Sequence, residues 1–181
     1  MQPLGRIALL LIASIEFAAI PTAASAQEPP KIQAGGGFLY IARPSAFDGS
    51  QPHPDAAAGW FGKVVGNITP RLGAEAEVSG SYNDAYGYKG ARGTSRIHGV
   101  LGGARVRPFC CRTIAPFAHV IAGIVHSRFR GQPQTSERSF ALAFGGGLDV
   151  RGFHVATDLV RNSDFSAWTW RIATGVMLPG R

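Results

Sequence analysis

Long apolar runs are missing from most of this sequence. Beyond residue 27, no stretch of the 181-residue chain approaches the ~20 apolar residues that a membrane-spanning helix needs. The chain after that point is therefore predicted to have no helical membrane anchor.

Cysteine is also scarce, because the only two, Cys110 and Cys111, are adjacent. Neighbouring cysteines bridge each other only in a strained geometry. Two cysteines alone cannot supply the four ligands of a closed tetrahedral metal site. We expect them to form part of a local turn, without a catalytic role, and their redox state stays open.

Motifs for cofactors and nucleic acids are lacking too. Gly145-Gly146-Gly147 follows no phosphate-binding pattern and opens no helix, so its predicted purpose is close strand approach or local curvature. The formal net charge of +7 indicates an affinity for acidic surfaces such as lipid phosphates. The sequence thus predicts no cofactor, no metal site and no nucleic-acid partner, and it identifies no specific surface ligand.

The first 26 residues have the pattern of a secretory signal peptide. Arg6 supplies a positive start, Ile7 to Ile15 form a short apolar core, and Ala24-Ser25-Ala26 is an A-x-A cleavage site. No cysteine follows these small residues, so a lipoprotein anchor is not supported. We expect cleavage after Ala26, which leaves residues 27–181 as a single domain.

Alternation between Leu72 and Ser81 is the strongest structural signal in the remainder. Apolar and small or polar residues alternate without a break there, and Glu75 and Glu77 share one face. Successive strand side chains point to opposite faces, so this pattern predicts a strand with one apolar face.

Eight such strands can be placed, since 24 glycines and 12 prolines oppose long helices. Their predicted ranges are Ile32 to Ala42, Gly59 to Ile68, Leu72 to Tyr82, Arg96 to Val106, Pro116 to His126, Phe140 to Val150, Phe153 to Asn162 and Trp168 to Leu178. Short and long connections alternate between them, as in bacterial outer-membrane barrels. The predicted fold is all-β: a closed, antiparallel, eight-stranded transmembrane β-barrel.

Faces cannot be assigned for the fourth, fifth and seventh strands. In the fourth, Arg105 and Arg107 share a face with Ile97 and Leu101, which mixes charged and apolar residues. We expect a bulge or an early strand end to resolve this conflict.

Several segments resemble a known family when taken in order. They are Gly36-Gly37-Phe38-Leu39-Tyr40, Gly59-Trp60-Phe61-Gly62, Asn67-Ile68-Thr69-Pro70-Arg71-Leu72-Gly73, Glu77-Val78-Ser79-Gly80-Ser81-Tyr82, Gly102-Gly103-Ala104-Arg105, Pro116-Phe117-Ala118-His119 with Gly123, Gly145-Gly146-Gly147-Leu148-Asp149 and Trp170-Arg171-Ile172-Ala173-Thr174-Gly175-Val176. Together they resemble the eight-stranded outer-membrane β-barrel family of small OmpA-like barrel domains. The resemblance implies a place in the outer membrane, insertion by the barrel assembly machinery, and contact with outer-membrane lipid and lipopolysaccharide.

A set of charged residues is predicted to face the lumen: Lys63, Glu75, Glu77, Asp149 and Arg171. An eight-stranded barrel has an interior just wide enough for side chains, and charges there must pair. We therefore interpret the set as a structural plug rather than a gated ion path.

Arginines flank the third long connection: Arg128, Arg130 and Arg138, with Lys89 and Arg92 in the second. Arginine binds phosphate bidentately, so an external rim of these residues could hold lipopolysaccharide. Ordinary solvated loop charge is the equal alternative.

Enzymatic interpretations are weak. Glu75 and Glu77 have a spacing that glycosidase-like chemistry could use, but no nucleophile, metal motif or cleft accompanies them. A histidine–serine pair, in which the imidazole activates the hydroxyl, could modify lipid. His126 and Ser127, however, would point to opposite faces of a strand. The sequence therefore favours a structural or surface-interaction role without catalysis. A lipid-modifying envelope enzyme and a soluble periplasmic barrel that binds an apolar ligand stay open as alternatives.

Overall fold

Eight strands make up most of the residues described by the computed structural model, which are 29–42, 56–86, 92–109, 113–130, 134–163 and 168–180. The strands are β1 (Ile32–Ala42), β2 (Ala56–Asn67), β3 (Leu72–Tyr86), β4 (Arg92–Val106), β5 (Ile114–Arg130), β6 (Thr135–Val150), β7 (Phe153–Asn162) and β8 (Trp168–Pro179). The predicted signal peptide, Cys110, Cys111 and Lys89 lie outside the described residues.

The strands form one closed sheet. Each pairs antiparallel with the next in sequence, and β1 also pairs antiparallel with β8. Closure leaves no edge strand with unpaired backbone groups, which is a condition for any sheet that crosses lipid. The predicted all-β, antiparallel, eight-stranded barrel is confirmed. Within the described residues, no helix is long and apolar enough to span a membrane.

Strand lengths differ from the prediction mainly at the ends near the long connections. β1 and β7 have the predicted bounds, whereas β3 to β6 each extend further by four or more residues at that end. The extensions carry polar residues without a clear apolar face, yet their ladders continue to the pairs Tyr86↔Arg92 and Phe129↔Thr135. Pairing with a neighbouring strand therefore decides their conformation, against a weak side-chain pattern.

At the opposite end of the barrel, two of the short connections are tight turns. In the β2–β3 turn, the Thr69 hydroxyl accepts hydrogen bonds from the backbone N–H groups of Arg71 and Leu72, at 3.3 and 2.9 Å. Between β6 and β7, Arg151 and Gly152 have φ values of 49° and 89°. Positive φ at both central residues is the requirement of a type I′ hairpin turn. Gly152 meets it without the steric cost that a side chain brings.

Apolar side chains cover the outer surface. Phe38 is 77% exposed, and Val100 and Phe153 are each 64% exposed, on the faces opposite the lumen. The apolar faces of β2, β3, β6 and β8 also point outward, and Trp60, Val78, Phe140 and Trp170 are exposed on them. A soluble barrel with an apolar interior would require these faces to point inward, so the structure does not support that alternative.

The prediction of a bulge or early end in β4 is wrong. Its register is unbroken on both sides, from Leu72↔Val106 to Tyr86↔Arg92 and from Val106↔Ala118 to Thr94↔Arg130. Arg105 is buried in the lumen together with Leu101. The mixed face exists because the lumen itself is mixed, with apolar residues in one region and ion pairs in another.

The glycine run in β6 brings β6 and β7 close together. Gly145 and Gly147 face the lumen, and a Cβ on either would collide with backbone oxygens of β7, at Thr157 and Val155. The predicted role of close strand approach is therefore confirmed.

Candidate functional site

Ionisable side chains fill the lumen from the short-turn end to its middle. Strands β2 to β8 each contribute at least one, and Arg107 follows directly after β4. This interior network consists of Lys63, Glu75, Glu77, Arg105, Arg107, His119, Asp149, His154, Asp158 and Arg171. Only inward-facing positions contribute because strand side chains alternate.

Two cations hold the centre of the interior network. Lys63 Nζ lies 2.8 Å from Glu75 Oε1 and 3.4 Å from Glu77 Oε2. The Arg171 guanidinium donates to Glu77 Oε1 at 2.5 Å through Nη1, and to Asp158 Oδ2 at 2.8 and 2.5 Å through Nε and Nη2. Each charge thus has an opposite partner, as burial requires.

His119 joins two of these carboxylates. Its Nδ1 lies 3.0 Å from Glu75 Oε1, and its Nε2 lies 2.7 Å from Asp158 Oδ1. A neutral imidazole has only one N–H donor, so two contacts with ionised carboxylates require the imidazolium form. His119 therefore acts as a third cation in the centre of the interior network.

Asp149 organises the end near the short turns. It accepts hydrogen bonds from Arg105, from Arg107 Nη2 at 3.4 Å and from His154 Nδ1 at 2.8 Å. His154 Nε2 lies 3.4 Å from Lys63 Nζ, which connects this group to the centre. Arg107 also donates to Gln33 Oε1 at 2.6 Å, so β1 participates as well.

Aromatic rings pack against this end of the interior network. The Phe117 ring stacks on His154, with centroids 5.3 Å apart and planes 13° apart. The Arg105 guanidinium lies 3.7 Å from the Phe117 centroid, a cation–π distance. These contacts fill the space between charged groups and hold Arg105 in place.

The structure brings together all five lumen residues predicted from sequence. Lys63, Glu75, Glu77 and Arg171 are buried and Asp149 is largely so, and ion pairs connect them directly or through their partners.

Sequence reasoning did not identify Arg105, Arg107, His119, His154 and Asp158 as lumen residues. They lie on or next to the strands whose faces were unassigned. In β5 both faces are apolar, with Phe117 and Ile121 inward and Val120 and Ile124 outward, so alternation gives no signal. The one available signal is spacing. Phe117, His119 and Ile121 are two residues apart, so they share one face of the strand.

A second cluster of charge lies on the outer surface near the long connections. Arg128 and Arg130 on β5 and Arg138 on β6 are exposed and face outward, as does Arg96 on β4. Arg128 lies directly opposite Arg96 in the ladder, and His98, His126 and Arg138 form one row across the three strands. We call these six residues the basic rim: Arg96, His98, His126, Arg128, Arg130 and Arg138. The side chains of Lys89 and Arg92 lie outside the described residues.

The residues of the two enzymatic interpretations are separated or already paired. His126 faces outward and Ser127 inward, so the hydroxyl and the imidazole cannot share a substrate. Glu75 and Glu77 are buried in ion pairs. Among the described residues, no group of three or more His, Cys, Asp or Glu is arranged to hold a metal ion.

Comparison with known proteins gives a consistent fold. No family model and no curated protein sequence matches the chain. Ail, the attachment invasion locus protein of Yersinia pestis, is similar in structure, with a TM-score of 0.55, 14% identity, and coverage of 83% of this chain and 99% of Ail. OprG of Pseudomonas aeruginosa has a TM-score of 0.53 and 11% identity, covering 85% and 98%. Neisserial surface protein A has a TM-score of 0.52 and 9% identity, covering 82% and 96%. The chain therefore has the fold of the small eight-stranded outer-membrane barrels.

Proposed function

We propose that this protein is a non-enzymatic outer-membrane barrel that supports envelope structure and presents its long connections and basic rim for surface interaction. The observation that carries the proposal is the division of charge by face. Every carboxylate of the interior network points inward, and no outward-facing side chain that the structure describes is acidic.

The interior network functions as a plug. Lys63, Glu75, His119 and Asp158 are all almost completely buried and joined across the lumen. A solute path would require several of these pairs to separate within a low-dielectric interior, at a cost of several kcal/mol per ion, on the order of the desolvation penalty. A closed, rigid core is the consequence.

The basic rim binds lipopolysaccharide phosphates. Arg96 and Arg128 lie directly opposite each other, and like charges in that position destabilise a sheet. An anion between them removes this repulsion, and arginine forks suit phosphate. Ail, which has a similar fold, forms a complex with the heparin analogue sucrose octasulfate. This complex supports a polyanion as a ligand for a barrel of this kind.

Export is inferred from the sequence and assembly from the fold. The A-x-A pattern supports cleavage after Ala26, so the mature protein would begin at Gln27. The barrel fold supports insertion by the barrel assembly machinery. Intact mass of the protein purified from outer membranes tests the cleavage site.

The lipopolysaccharide proposal is tested by replacing Arg128, Arg130 and Arg138 together with alanine. If each exposed arginine contributes about 0.5 kcal/mol, the triple variant should bind lipid A about ten-fold more weakly. Binding is measured with the barrel in nanodiscs that contain lipid A.

Arg71→Ala is the control for this experiment. Arg71 is also exposed, but it lies at the opposite end of the barrel. Its replacement should leave lipid A affinity unchanged. Equal affinity of the triple variant and the wild type, with both barrels folded, would show that the basic rim is only solvated surface charge.

A further inference from the structure

The half of the lumen next to the long connections differs from the plug. A cavity of about 70 Å³ lies there, and we call it the outer chamber. Its apolar wall consists of Leu39, Ile41, Ile97, Leu101, Val125 and Val160. Ile41 and Asn162 lie at or next to the strand ends that lead into long connections, so the outer chamber is on the side of the barrel remote from the short turns.

Polar atoms without partners project into this apolar space. Ser81 is only 2% exposed and lines the outer chamber, yet its Oγ has no hydrogen-bond partner among the described residues. The same is true of the buried Oδ1 of Asn162. Burial without a partner is unfavourable for a polar atom. The Ser81 hydroxyl can donate to an anionic ligand, whereas the amide oxygen of Asn162 only accepts, so Ser81 is the atom suited to an anion.

Arg171 connects the outer chamber to the plug. It lines the cavity, and its contacts with Glu77 and Asp158 use three of its five N–H groups. One N–H on each Nη is left for a further acceptor. The floor of the outer chamber thus offers donors, and the walls offer hydrocarbon.

The charge of the interior network favours an anionic acceptor. Its four carboxylates are balanced by Lys63, Arg105, Arg107 and Arg171, and the imidazolium of His119 adds one positive charge. Glu137 faces the barrel mouth but does not line the outer chamber. The interior network as a whole therefore carries one more positive than negative charge, and an anion at Arg171 can accept charge-assisted hydrogen bonds from its remaining N–H groups.

We propose that the outer chamber binds a short aliphatic carboxylate, with its carboxylate at Arg171 and Ser81 and its chain against the apolar wall. The volume is about half of the 150 Å³ that encloses benzene, so the chamber encloses only a few carbons and a longer chain extends towards the mouth. This binding site is independent of the basic rim.

The experiment uses the full barrel in nanodiscs with ¹³C-labelled isoleucine, leucine and valine methyl groups. The probes are hexanoate, 1-hexanol and hexyltrimethylammonium, which share a six-carbon tail and differ in the charge of the head. Methyl shifts of Leu39, Leu101 and Val125 report on the outer chamber. Those of Leu142, Val155 and Ile172, which face outward, report on probe dissolved in the bilayer.

Hexanoate should shift the chamber methyl groups saturably while the outward methyl groups drift without saturation. The cationic probe should bind at least about ten-fold more weakly, because its head group would meet the Arg171 guanidinium and hydrogen-bond donors, and it has no acceptor to offer them. Ser81→Ala should weaken hexanoate binding about five-fold, as expected for loss of one hydrogen bond.

Filling the cavity should abolish binding. A Cβ at Gly99 lies 3.2 Å from Ser79 Oγ and 3.5 Å from Val125 Cγ2, so Gly99→Val places methyl groups inside the outer chamber. Gly66→Val is the matched control, since a Cβ at Gly66 has no neighbour within 4 Å. If Gly99→Val does not fold, Ser79→Val serves the same purpose.

Three results would overturn the proposal. The first is that the chamber methyl groups do not respond to hexanoate, and the second is that the anionic and cationic probes bind with equal affinity. The third is that these methyl groups contact the chain's own connections in the ligand-free protein and that the contacts persist at saturating hexanoate.

Discussion

Asp158 shows how strongly single residues are coupled inside this barrel. It accepts hydrogen bonds from His119 at 2.7 Å and from Arg171 at 2.8 and 2.5 Å, and it is 1% exposed. A buried ion pair is weak evidence for stability in itself, but removal of one partner leaves an uncompensated charge. Asp158 faces two cations, so its loss affects both.

Asp158→Asn should therefore reduce the free energy of unfolding by about 3–5 kcal/mol. The amide is nearly isosteric with the carboxylate, which keeps packing constant and isolates the charge. Guanidinium unfolding in detergent, followed by the shift between folded and unfolded gel mobility, measures the change.

Glu137→Gln is the matched control for Asp158→Asn. It makes the same chemical change at an exposed position, where surface substitutions usually stay within about 0.5 kcal/mol. A similar small effect at both sites would mean that the interior network is hydrated and loosely paired.

Strand β3 lies between the charged interior network and the apolar outer surface. Glu75 and Glu77 point into the interior network, while Ala74, Ala76 and Val78 point outward. Ala76 pairs with Val64 on one side and Gly102 on the other, both outward-facing and uncharged. It therefore lies near the middle of the outward apolar positions of β3, which run from Leu72 to Tyr82.

Ala76→Arg should destabilise the barrel by about 2–4 kcal/mol, as expected for a cation near the bilayer midplane. Ala58→Arg makes the same change close to a long connection, beside Tyr40 and Tyr82, and should cost about 0–1 kcal/mol. Equilibrium unfolding from lipid vesicles compares the two. Equal costs at both depths would contradict the proposed position of the lipid belt.

At the scale of the whole molecule, the two ends of the barrel differ in the length of their connections. The three lysines report on this difference. Lys31 is exposed just before β1, Lys63 is buried in the interior network, and Lys89 lies in the connection between β3 and β4.

A membrane-impermeant amine reagent applied to intact cells should therefore modify Lys89 alone among the lysines. Lys31 should react only after the outer membrane is opened, and Lys63 only after unfolding, since the reagent cannot reach a buried ammonium. Peptide mass spectrometry quantifies each site. Modification of Lys31 before Lys89 would reverse the proposed orientation.

The parts of the structure that could be predicted from sequence are the strands with one apolar face and one face that carries charged residues. Alternation in β3 located Glu75 and Glu77, and the bounds predicted for β7 are those observed. His119 and Asp158 were missed because their neighbours on the same face, Phe117 and Ala156, are apolar. No periodic pattern distinguishes a lumen that is partly apolar from a lipid-facing surface.

Closure of β1 against β8 makes β8 as necessary as β1. Gly37 pairs with Gly175, far away in sequence, so the ring cannot be completed until β8 has been synthesised. A chain that lacks β1 or β8 would have two sheet edges with unpaired N–H and C=O groups, which are costly in hydrocarbon. Such contacts between distant residues also slow folding. The unclosed polypeptide therefore has to be kept from aggregating until β1 and β8 can meet.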